Sequence, residues 1–110
     1  MNVTSLIHLH RLPKFNRYSL PGDDYKIMFS YPLKHSGLTR EQICEFVFDA
    51  TNNPQYDEEL NNRMPDCELS DKAKLLKEWR KVRLCSLSVS DRIEVESLTY
   101  ECMPSGWKEI

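Results

Sequence analysis

The sequence predicts an α+β fold in which an antiparallel sheet of about five strands carries two helices, ordered strand, strand, helix, helix and a three-strand meander. Three observations predict it. Apolar residues recur at helical spacing in two capped segments, 40–51 and 71–83. Short alternating runs bounded by turn residues lie before the first of these and after the second. The chain has 110 residues, 40% of them hydrophobic, with only three glycines, which is enough to bury one core and too apolar for a disordered chain. One domain spanning residues 1–110 is therefore expected.

The first strand is read at residues 3–12, with Leu6, His8, His10 and Leu12 on one side and Val3, Ser5, Ile7 and Leu9 on the other. Apolar groups on both sides predict a strand buried on both faces, stopped by Pro13. Turn residues follow, including Pro21-Gly22-Asp23, and then a second strand at 25–31 with Ile27 and Phe29 facing the core. Thr39 and Gln42 stand at capping-box spacing, and Leu38 is placed to staple onto Ile43. The helix they open has Ile43, Phe46, Val47 and Ala50 as its inner stripe, and Asn52-Asn53-Pro54 ends it.

Residues 54–69 read as an irregular acidic surface loop with room for one helical turn. Ser70 caps the second helix, whose stripe is Leu75, Leu76, Trp79 and Val82 and whose opposite face carries Lys74, Lys77 and Lys81. The remainder predicts strands at 86–89, 92–96 and 99–103, broken at Ser90-Asp91 and Ser97-Leu98, and Pro104-Ser105-Gly106 bends the chain before Trp107-Lys108-Glu109-Ile110.

A formal net charge of -2 gives no global attraction to nucleic acid or anionic lipid. No apolar run reaches the length of a membrane span, and the first dozen residues lack the pattern of a signal peptide, so a soluble, cytoplasmic protein is expected. Cys44, Cys67, Cys85 and Cys102 then read as free thiols. They contain no Cys-x-x-Cys hook and combine with His8, His10 and His35 in no zinc spacing, so neither a metal nor a cofactor is expected.

Ser86-Leu87-Ser88-Val89-Ser90-Asp91-Arg92-Ile93-Glu94-Val95, with Tyr100-Glu101-Cys102 and Gly106-Trp107-Lys108-Glu109-Ile110, resembles the YodL-like small domains of phages, plasmids and other mobile elements. Phe46-Val47-Phe48-Asp49-Ala50-Thr51-Asn52 is similar to the helix end of that pattern. Ser90 stands where the pattern usually has glycine, and a backbone with positive φ there costs serine about 1 kcal/mol. The resemblance implies a mobile-element or viral accessory protein that acts on a host protein, with defence and cytoskeletal components among the targets.

No catalytic constellation is legible. His8 and His10 share a strand face but lack a neighbouring ligand or carboxylate in the sequence, and no cysteine has an evident base. The expected activity is binding, by a small accessory protein that inhibits a host protein such as a nucleic-acid-handling defence complex. Its expected contacts are the acids Asp57, Glu58, Glu59, Asp66 and Glu68 together with Met103 and Trp107. The alternative is a nucleic-acid-binding module that uses Lys74, Lys77, Arg80, Lys81 and Arg83 on the second helix.

Overall fold

A computed structural model describes residues 3–11, 25–62 and 69–110. Five strands, β1 (Val3–Arg11), β2 (Lys26–His35), β3 (Arg92–Val95), β4 (Leu98–Cys102) and β5 (Trp107–Glu109), form one antiparallel sheet in the order β2-β1-β3-β4-β5. Three helices, α1 (Arg40–Asn52), α2 (Pro54–Asn61) and α3 (Asp71–Lys81), lie between β2 and β3 in the chain. The fold is α+β, as the hydrophobic patterning predicts.

Pairing fixes which side chains share the buried face. Ile7 stands opposite Tyr31 and Val95, Leu9 opposite Phe29 and Ile93, and Ile93 opposite Tyr100. These residues meet Ile43, Cys44, Val47 and Ala50 of α1 and Leu75 and Trp79 of α3 in one core. Trp79 is buried, donates its indole N–H to the Cys85 carbonyl at 3.1 Å, and meets Phe29 edge-on. The capping box at Thr39 and Gln42 is formed in both directions, Leu38 packs on the core, and Phe46 sits at its rim.

Several expectations are corrected. β1 is not buried on both faces: only Ser5, Ile7, Leu9 and Arg11 are covered, while Leu6 lies on the open face, half exposed. Leu12 and Pro13 lie outside the described residues. β2 runs beyond residue 31 to His35, through Pro32. A register shift between Leu9 and His10 skips Met28 and pairs His10 with Ile27, so Ile27 turns to the open face and is 55% exposed.

The described residues form three helices rather than two. Asn53, held extended ahead of Pro54 (φ -83°, ψ 120°), is both the last cap of α1 and the first cap of α2, and its side chain accepts from the Gln55 N–H. Proline at the first helical position then starts α2 where a loop is expected. α3 stops at Lys81, so Val82 leaves the apolar stripe and is 49% exposed.

Residues 86–89 form no strand, because their hydrogen bonds go to the end of α1. The Ser86 hydroxyl donates to the Thr51 carbonyl, the Leu87 N–H to Thr51 Oγ1, and Asn52 Nδ2 to the Leu87 carbonyl. Ser88 to Asp91 is a turn closed by the Asp91 N–H on the Ser88 carbonyl at 3.0 Å, with Ser90 at φ 84°. The β3–β4 connection is Glu96-Ser97, at φ 50° and 70°, one residue earlier than the sequence suggests. Two successive left-handed residues are what a tight hairpin of this hand requires. No helix among the described residues is long and apolar enough to cross a membrane.

Candidate partner-binding groove

The acids expected to face a partner are largely engaged within the protein. Asp57 pairs with Arg80 of α3. Glu59 accepts from the Ser70 N–H at 2.7 Å and the Ser70 hydroxyl at 2.8 Å, tying α2 to the cap of α3. Glu58 is exposed, and Asp66 and Glu68 lie outside the described residues. At the opposite end, Met103 is half-buried, with its N–H donating to the Gly106 carbonyl. Trp107 packs on the core and donates Nε1–H to Glu45 Oε1 at 2.9 Å, so this aromatic closes the core between β5 and α1.

The basic set on α3 is divided in the same way. Arg80 is committed to Asp57, Lys81 pairs with Glu78 at 3.0 Å, and Arg83 lies past the helix at φ 57°. Lys74 and Lys77 are exposed and face β2 rather than forming a continuous basic surface with Arg80.

Between β2 and α3 lies a groove of about 1140 Å³. Ile27, Met28, Ser30, Tyr31 and Pro32 form its strand side, and Lys74, Lys77, Glu78, Lys81 and Val82 its helix side, with Leu69 at one end. Phe29 and Trp79 hold the two elements together beneath it. Tyr31 stacks on Phe29, and its hydroxyl is pushed above the usual phenol range by burial first, then by Glu78 and Asp71. Ile27, Met28 and Val82 each expose about half of their surface, or slightly less, beside this groove. An apolar cluster rimmed by charge is the composition of a contact surface.

Sequence reasoning misses this groove, since Ile27 reads as core and Val82 as part of a buried stripe. It also misses a cluster at the far end of β1. Ser5 Oγ lies 2.8 Å from His35 Nε2 and donates to Glu96 Oε1 at 2.9 Å. His35 Nδ1 accepts from the Leu38 N–H at 3.0 Å and the Gly37 N–H at 3.3 Å. That assigns the proton to Nε2, which then donates to Ser5, so this imidazole is not placed to take the Ser5 proton. The cluster instead fastens β1 to the α1 entry and the β3–β4 turn.

His8 and His10 do have polar partners. His8 Nδ1 lies 2.6 Å from Ser30 Oγ, and His10 Nε2 lies 2.8 Å from Glu94 Oε1, both on the open sheet face. The carboxylate beside His10 comes from β3 and is invisible at sequence range. Among the described residues, no three His, Cys, Asp or Glu side chains converge as metal ligands.

Comparison with models of protein families, with curated proteins and with solved structures finds no match for this chain, so the functional argument rests on its own surface chemistry.

Proposed function

We propose that this protein is a cytoplasmic binding module that engages a host protein stoichiometrically through the β2–α3 groove and inhibits it by occupying the surface it covers. The carrying observation is the exposure of Ile27, Met28 and Val82 around a groove whose helix side is lined with lysines. Apolar area buried there is worth about 25 cal/mol per Å² before ordering costs, which makes this surface a source of binding energy. The resemblance to YodL-like domains supplies the setting, an accessory protein of a mobile element.

This reading moves the contact away from Asp57 and Glu59, whose carboxylates are already bonded, and away from Trp107. Direct nucleic-acid binding is the weaker reading. Arg80 pairs with Asp57 and Lys81 with Glu78, so the basic residues of α3 form no continuous stripe to follow a phosphate backbone.

The test is site-specific photocrosslinking in host extract with the reactive side chain at position 28, 82 or 58. The same protein captured at 28 and 82, and absent at 58, supports the groove. Capture at 58 alone, or none at either groove position, refutes it.

A further inference from the structure

We infer that His8 and His10 form a two-imidazole chelate on the open face of the sheet, which takes a late first-row divalent metal ion, copper(II) most tightly. The two residues alternate along β1 with Ile7 and Leu9 of the core, so both imidazoles leave the strand on the face away from the helices. Side chains two residues apart on a strand start about 7 Å from each other, close enough for one ring nitrogen of each to reach a shared cation at about 2 Å. Both rings are partly exposed, and an ion reaches them directly from solvent.

Hydrogen bonds already hold each ring with one nitrogen committed and the other bare. His10 Nε2 lies 2.8 Å from Glu94 Oε1, and a carboxylate only accepts, so the proton sits on Nε2 and Nδ1 keeps its lone pair. His8 Nδ1 lies 2.6 Å from the Ser30 hydroxyl, which can accept from it and leave Nε2 as the ligand. Neither His8 Nε2 nor His10 Nδ1 has a partner among the described residues. A carboxylate behind an imidazole fixes its tautomer and raises its basicity towards a metal. Glu94 is thus the positioning residue for His10, and Ser30 for His8.

The donor set selects the ion. Imidazole nitrogen suits copper, nickel and zinc, whereas calcium and magnesium require oxygen ligands, and the order of stability among the first group places copper(II) first. Glu94 brings a negative charge next to the incoming dication. Arg92, the cross-strand neighbour of His10, does not oppose it, because its guanidinium is turned to Glu101 at 3.1 Å and lies 4.0 Å from the centre of the Tyr25 ring. Two nitrogens come from the protein and water fills the remaining positions, so the site needs no third convergent side chain.

The probe is copper(II) chloride added to the full chain in a non-chelating buffer and followed by proton NMR of the imidazole rings. Substoichiometric copper should broaden the His8 and His10 ring signals. His35 should stay sharp, since its Nδ1 accepts two backbone N–H groups and its Nε2 faces Ser5. Calorimetry gives the second readout: His8→Gln and His10→Gln should each weaken binding about tenfold or more, and Glu94→Gln about tenfold. All three side chains lie off the core, so amide spectra of the variants should keep the native pattern. Unbroadened histidine signals, or broadening centred on the neighbours of the exposed Cys85, overturn the site. Unchanged affinity in either histidine variant shows that the rings do not act together and overturns the chelate.

Discussion

Arg11, at the end of β1, and Asp91, 80 residues later in the chain, form a buried two-point ion pair, Nε to Oδ1 at 2.9 Å and Nη2 to Oδ2 at 2.7 Å. Both side chains are almost fully enclosed, and Arg11 Nη2 also reaches the carbonyls of Cys85 and Ser86 at 3.2 and 3.3 Å. Asp91 Oδ2 further accepts the Ser88 N–H, so the pair anchors the whole turn to the sheet. Arg11→Met leaves a buried carboxylate without its cation and should cost about 3–5 kcal/mol in urea unfolding. The double change Arg11→Met, Asp91→Leu should recover part of that loss; no recovery in the cycle means the two residues act independently.

Ser90 holds a left-handed backbone, φ 84°, at the third position of a turn whose geometry favours glycine there. Ser90→Gly is expected to stabilise the protein by about 1 kcal/mol and Ser90→Val to destabilise it. Thermal unfolding of the two variants decides; the opposite order shows that the serine side chain outweighs its backbone strain.

Alkylation should separate the thiols. Burial, then the Glu41 and Glu45 charges, pushes Cys44 up to about 12, and burial also raises Cys102. Cys85 is exposed. Iodoacetamide at pH 8 should modify Cys85 well before Cys44 or Cys102, as read by peptide mass spectrometry, with the latter two reacting on unfolding.

Asp49 and Lys72 meet at 2.6 Å where α1, α2 and α3 adjoin, with the ammonium near the rings of Phe46 and Tyr56. The Lys72 hydrogen bond holds the Asp49 carboxyl below its ordinary 3.8, against some desolvation, and the same bond raises Lys72 above 10.5. The Asp49 contribution is complete above pH 3.8 and disappears as pH falls through the lower folded value. The Lys72 contribution is complete below pH 10.5 and disappears as pH rises through the higher one. Partial exposure limits the pair to about 1 kcal/mol or less. Asp49→Asn should therefore destabilise modestly at pH 7, with the difference closing on the acid side; a pH-independent difference assigns the effect to packing.

Legibility in the sequence followed the range of the interactions. The caps at Thr39 and Ser70 and the stripe Leu75-Leu76-Trp79 are local signals, and both helices form where those residues place them. Asn53-Pro54 carries two messages, an end and a beginning, and only the first is evident without seeing α2 packed on α3. The 86–89 stretch looks strand-like, but its polar atoms bond Thr51 and Asn52, residues no local pattern connects to it. Asp57 and Glu59 of the expected contact lie close together in the sequence, whereas their partners Arg80 and Ser70 come from α3 and its cap. The groove escaped notice because a single register shift at Leu9/His10 decides whether Ile27 is core or surface.

The place of β1 between β2 and β3 has a kinetic consequence. β1 and β2 lie close enough in the chain to form a hairpin early, but the partner of the other β1 edge is separated from it by most of the chain. Loop-closure entropy must be met before Leu9 can pair with Ile93, which points to slow folding limited by a late long-range step. Until that step, a growing chain presents the Ile7 and Leu9 stretch with one open edge, a period of exposure to misassembly that ends only when β3 arrives.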